Sequence, residues 1–228
     1  MHTETFGGDA PTTEDTRLAT APSAVEGQLE ASDLDIPRIN VAQKMSSDVP
    51  GRPGQISIGK EFVLYEPDVK IPINILSAKK AWKEKIPYGS DARPRFAQTV
   101  EEAKALEAES EYEIMHFAEF VILVAHTPDC LLTEDDVFSA FPYEIDGHHF
   151  ALAKLTAQSF GYDTTFKRVA TAQATNPGLD LSNIIWNFQS VEKSSPKYKW
   201  HIPQFALTRG TTTPAVAEFL SNLKGGSH

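Results

Sequence analysis

The chain has little of what usually anchors a small catalytic or metal centre. Its 228 residues include one cysteine, Cys130, which excludes an internal disulfide and a cysteine-rich zinc site and fits a reducing compartment. No run approaches the ~18 apolar residues of a membrane span; the longest, Phe117 to Ala125, is broken by Glu119. The opening MHTETFGGDA has neither the basic nor the apolar region of a secretory signal, so none is expected. GxxxxGK[ST], GxGxxG, GxSxG and HExxH are all missing, which removes the common phosphate-loop, dinucleotide, hydrolase and zinc-protease readings. His148 and His149 are adjacent, and neighbouring side chains point apart on a strand and lie about 100° apart on a helix, so they do not share a metal. His116 and Glu119 fall on opposite faces of an expected strand and read as structural or solvated. Pro67-Asp68 followed by Glu102 and Lys104 loosely echoes a metal-dependent nuclease. That pair, however, sits in the first turn of a capped helix, about 200° apart around its axis. Glu134, Asp135 and Asp136 read as ordinary acids at a helix start. No enzymatic activity and no cofactor or metal is expected, with a nuclease as the outlying alternative.

What is present is a globular composition, 41% hydrophobic and 23% charged, with unevenly spread charge. Residues 1–35 carry eight acids against one base, and 100–146 carry thirteen against one. Residues 36–99 carry eleven bases against six acids, and 147–228 eight against four. A net charge of −10 is therefore compatible with a basic face, and faces rather than totals steer a polyanion. Residues 1–35 hold few large apolar side chains and read as a disordered acidic tail, either solubilising or competing with nucleic acid for a basic groove. Residues 36–228 read as one globular domain.

Within that domain DIPRINVAQ is extended. ISIGKEFVLYE is a strand, broken near Gly59. VKIPINILS is another, with Pro72 marking an edge or a bulge. Thr99 to Glu102 is a capping box that starts a helix over 100–110. YEIMHFAEFVILVAHT is apolar enough for a central strand. A short helix follows Thr133, and FPYEIDG is a strand and turn. The alanine-rich 149–159 reads as a helix, with a second helical piece near 166–174. Leu181 to Arg209 reads as a hairpin whose turn spans Glu192 to Pro196. A final helix from Pro214 buries Val216, Phe219, Leu220 and Leu223.

Two stretches interleave aromatic and basic residues. One holds Lys79, Lys80, Trp82, Lys83, Lys85, Tyr88, Arg93 and Arg95. The other holds Lys197, Tyr198, Lys199 and Trp200, and Lys167 and Arg168 add a third basic point. Flat rings stack on bases and cations follow phosphates, which is the chemistry of single-strand binding. The plain alternative is that Trp82 tucks into the core under a solvated loop. In the hairpin, alternation leaves two arrangements open. Either Lys197 and Lys199 line a groove with Tyr198 and Trp200 in the core, or the rings face the ligand and the lysines turn away.

The order of parts resembles bacteriophage single-stranded DNA-binding proteins with an oligonucleotide-binding (OB) barrel. The resemblance covers about residues 35–210 and rests on short motifs. These are Asp35-Ile36-Pro37-Arg38-Ile39, a Pro-Gly turn before the first strand pair, Lys80 to Glu84 around Trp82, a helical insert, Trp186 to Ser190, and Trp200 to Phe205. It implies an α+β, mainly antiparallel fold, a partly open OB-like barrel with inserted helices and a C-terminal helix. It also implies sequence-tolerant, non-catalytic coating of single-stranded DNA in replication or recombination. Expected partners are single-stranded DNA, with replication or recombination proteins and a second copy of the chain as further candidates, and no membrane. The location implied is cytoplasmic, in the host cell if the chain is viral. Such proteins often end in an acidic recruiting tail, whereas here the acidic segment is N-terminal. The competing expectation is a virion or host-interaction protein that binds protein partners through the acidic 100–146 surface.

Overall fold

The computed structural model describes residues 35–44, 48–87 and 89–225. The acidic tail, Asp35 apart, and Tyr88 lie outside the described residues.

Strands β1 (Ile39–Val41), β2 (Ile56–Ile58) and β3 (Phe62–Tyr65) form a three-stranded antiparallel sheet. Gly59, at φ +61°, turns β2 into β3, a left-handed conformation that glycine adopts without steric cost. ISIGKEFVLYE is thus a hairpin. The rest of the chain runs through β4 (Ile71–Glu84), β5 (Phe96–Ala97), α1 (Val100–Glu109), β6 (Ile114–Ala125), α2 (Glu134–Ala140), β7 (Tyr143–Ile145) and β8 (His148–Gln158). Then come α3 (Phe160–Thr164), α4 (Phe166–Thr175), a 3-10 turn (Leu181–Asn183), β9 (Ile184–Ser194), β10 (Lys199–Thr211) and α5 (Pro214–Gly225). The large sheet has the order β10-β9-β4-β6-β8-β7, with β5 on β4, and its pairings are antiparallel. The protein is α+β and mainly antiparallel.

One face of this sheet carries the core, including Ile73, Ile75, Phe120, Ile122, Ala153, Leu155, Trp186, Phe188 and Phe205. On the opposite face α5 packs Val216 and Leu220 against Leu123, Phe150 and Leu152, as its apolar spacing requires. Thr99 caps α1 with the expected reciprocal box: its hydroxyl accepts from the Glu102 N–H, and the Glu102 carboxylate accepts from the Thr99 N–H.

The helix expected over 149–159 is instead β8. It pairs with β6 from Phe117 opposite Gln158 to Ala125 opposite Phe150. Helix propensity separates alanine from other ordinary residues by at most ~0.7 kcal/mol per position. A ladder to a central strand outweighs that, and the small Ala151, Ala153 and Ala157 are buried on its core side. Read as a strand, Lys154, Thr156 and Gln158 alternate outward.

The sheet path does not close into a barrel. β1 stands between its two sides. Arg38 bridges Lys154 of β8 in parallel, and the Lys154 N–H donates to Pro37 O at 2.8 Å. Across the other gap, Gln43 acts as a one-residue strand: its Nε2 donates to His201 O at 2.7 Å and its Oε1 accepts from His201 N at 3.2 Å. The outward carbonyls of β10 are satisfied further along by Thr164, at Pro203 O (2.7 Å), and by Arg168, at Phe205 O (2.9 Å). An otherwise bare edge strand is thereby covered. Gln43→Ala removes both bonds to His201 and is expected to lower stability by about 1–2 kcal/mol. Urea unfolding checks this through a lower midpoint at unchanged slope; an unmoved midpoint would mean that the seam does not depend on Gln43.

Candidate nucleic-acid interface

The periodicity Val69, Ile71, Ile73, Ile75 extrapolates to Lys79 and Lys83 on the core side of β4. A register shift between Ile75 and Ser77 reverses this, because one extra residue moves every later side chain to the other face. Beyond the bulge Ala78 pairs with Phe120, Lys80 with Ala118 and Trp82 with His116. Lys80 and Trp82 therefore share the core-side face, with Lys80 Nζ 4.7 Å from the Trp82 ring centre. Rings continue from there. His116 lies 5.7 Å from Trp82 and stacks at 5.7 Å on Tyr162, which stacks at 5.2 Å on Phe166. Trp82 is half-buried against Ala97, Ala103 and Leu106, so it is neither fully core nor free. Burial, then the nearby Lys80 and Lys167 charges, push the His116 pKa down, keeping the imidazole in its neutral form near pH 7.

The other cations of this stretch are dispersed. Lys79 stands opposite Glu119 on the far face. Lys83 lies over Phe117 at 5.8 Å, with burial lowering its pKa. Lys85 pairs with Glu113 at 2.8 Å, and Arg95 with Glu84 and Glu109. Arg93 is exposed.

In the hairpin the strands run further than expected, to Ser194 and from Lys199, so the turn is Ser195 to Tyr198. Lys199 reaches back to Glu192 at 2.9 Å, and Lys197 is exposed. Tyr198 is 72% exposed. Trp200 is half-buried, its ring 5.7 Å from Phe160. Neither ring is buried in the core, so the arrangement that puts both there is not the one found; Lys197, Tyr198 and Lys199 are all exposed.

Helix α3 links the two clusters. Ser159, at φ 51° and ψ −128°, makes the corner between β8 and α3, a conformation that costs a non-glycine residue of order 1–3 kcal/mol. Phe160 follows it, 58% exposed. On one side is a groove of about 360 Å³ lined by Gln43, Ser159, Phe160, Trp200 and His201, among others. On the other is a second of about 360 Å³, lined by His116, Phe160, Tyr162 and Lys167, among others. Phe160 stands between them. Lys167 is exposed and paired with Asp163, while Arg168 gives one guanidinium N–H to Phe205 O. Phe160, His116 and Tyr162 were not identifiable from sequence as site residues. With 149–159 read as helix, Phe160 falls just beyond its end and nothing brings His116 to Tyr162.

Searches with family models, curated proteins and solved structures return no match to this chain. The site's chemistry therefore rests on geometry. Glu102, one of the two acids of the nuclease alternative, has its carboxylate engaged by the Gln98 and Thr99 N–H groups. No cluster of three or more metal-ligating side chains occurs among the described residues.

The loop between β4 and β5 is clamped by Glu84, whose side chain is 4% exposed. It accepts from Ser110 Oγ at 2.6 Å, Arg95 N at 2.8 Å and Arg95 Nε at 2.9 Å. The Ser110 hydroxyl first, then the Arg95 N–H and guanidinium, pull its pKa from 4.5 to about 2. The clamp's contribution is complete above the unfolded value of 4.5 and is lost as pH falls toward the folded value of about 2. Glu84→Gln is thus expected to be less stable than wild type at about pH 6, with the gap narrowing by about pH 3. Urea midpoints at the two pH values test this; a gap of constant size would mean that Glu84 carries no such linkage.

Proposed function

We propose that this chain binds single-stranded DNA without sequence preference and without catalysis, in replication or recombination. The observation that carries the reading is the pair of grooves meeting at Phe160. Trp200 stands beside one, His116 and Lys167 line the other, and Trp82 and Lys80 extend the second along the same face. Exposed or half-exposed rings beside cations suit stacked bases and following phosphates, each stack being worth roughly 1–3 kcal/mol. Connectivity supports it too. β4, β6 and β8 run in sequence, α3 and α4 intervene, and β9 and β10 return, with β4 between β6 and β9. This order supports reading the fold as a partly open OB-like barrel, a fold whose ligands lie across the second and third strands and beside the first and last hairpin loops. On that reading the β4–β6 connection and the Ser195–Tyr198 turn are the corresponding loops.

Several cations are already engaged in ion pairs: Lys85, Arg95, Lys167 and Lys199. Lys80, Arg93 and Lys197 form none of the ion pairs found among the described residues and would follow the phosphates beside the stacking rings. The protein-binding alternative draws on α2, where Glu134, Asp135 and Asp136 are exposed beside Phe138, 64% exposed.

Tryptophan fluorescence titrated with oligo-dT is expected to give a dissociation constant of about micromolar or tighter that weakens with salt. Phe160→Ala and Trp200→Ala each weaken it about tenfold, and Phe138→Ala leaves it unchanged. No binding at about 50 mM salt would overturn the reading. Loss of a protein complex on Phe138→Ala, with no response to oligonucleotide, would favour the alternative.

A further inference from the structure

A third groove, of about 450 Å³, lies between α4 and β10. Asp163 and Lys167 line both it and the groove at His116, so the two meet around the start of α4. Its lining includes Trp186, Phe205 and Leu207, with Arg168 and Thr171. Leu207 is directly opposite Trp186 in the β9–β10 ladder and is 47% exposed. Trp186 is 1% exposed, and its Nε1–H has no hydrogen-bond partner among the described residues. A buried donor left unpaired is costly, and native proteins rarely keep one without a use. The same groove thus combines an apolar floor, a lining residue with a buried unpaired donor, the Asp163–Lys167 ion pair and the Arg168 guanidinium. That fits a group with a flat apolar face, an acceptor edge and an attached negative charge, which is the chemistry of a nucleotide.

We propose that this groove is a further nucleotide subsite, where the strand leaving Phe160 and His116 seats one more base against Leu207 and Trp186. The buried Trp186 N–H would meet an acceptor on the base as Leu207 gives way, Arg168 would flank its phosphate, and Lys167 would turn to it from Asp163. The inference rests on the single-strand reading above and lengthens the bound stretch. Arg168 still fastens β10 through Phe205 O, and its remaining N–H groups serve the phosphate.

The test uses the full chain with dT oligonucleotides of about 4 and about 10 nucleotides. Wild type is expected to bind the longer one more tightly. Leu207→Glu, at a half-exposed position, keeps the affinity for the short oligonucleotide and loses about tenfold for the long one. In ¹⁵N-edited spectra of wild type, the Trp186 indole N–H signal shifts with the long oligonucleotide and not with the short. Equal affinity of Leu207→Glu and wild type for the long oligonucleotide, or an unmoved Trp186 signal when it binds, would overturn the subsite and leave the single-strand reading standing. Failure of wild type to bind either oligonucleotide would overturn both.

Discussion

β4 is hydrogen-bonded along both edges. One edge meets β6 from Ile73 to Glu84; the other meets β9 at Ile71 to Ile73 and β5 at Trp82 and Lys83. A strand held on both sides cannot slip, and its single bulge fixes which side chains of AKKAWKE face the core side. The isoleucines before the bulge fill the core. Lys80 and Trp82 after it reach the open continuation of the same face, where β6 supplies His116. Core and candidate site are two ends of one surface, joined by a one-residue change of register.

The same economy holds at the sheet's open side. An unclosed path leaves backbone donors and acceptors of β10 without a strand partner, and buried groups of that kind need satisfying. Gln43 from the segment after β1, Thr164 from α3 and Arg168 from α4 supply partners. α3, which gives Thr164, also carries Phe160 and Tyr162. Gly161 lets α3 lie against β10: a Cβ there would meet the Pro203 ring at 3.2 Å, tighter than ordinary van der Waals contact. Closing the edge therefore brings Phe160 to Trp200.

Electrostatically the surface is less basic than its lysine count suggests. Where β4 and the loops carry cations, neighbouring acids hold many of them: Glu113 on Lys85, Glu84 and Glu109 on Arg95, Asp163 on Lys167, Glu192 on Lys199. Surface pairs of this sort contribute little stability, but they lower the positive potential offered to a polyanion. The rings are not neutralised in that way, which is why aromatic geometry weighs more than charge in the functional reading.

Local chemistry was legible in the sequence. The Thr99 capping box, the apolar run of β6, the β9–β10 hairpin and the stripe of α5 each carry a short-range signal that the fold keeps. The tip aromatics Tyr198 and Trp200 were legible as candidates for the same reason. Three things were decided only by tertiary structure. β8 is a strand because β6 is beside it, against a helix preference too weak to resist a ladder. Lys80 rather than Lys79 or Lys83 joins Trp82, because a bulge is a property of two strands in register and not of either sequence alone. Phe160, His116 and Tyr162 come together because α3 folds onto β6 and β10, and contacts between residues so distant along the chain leave no periodic trace in it.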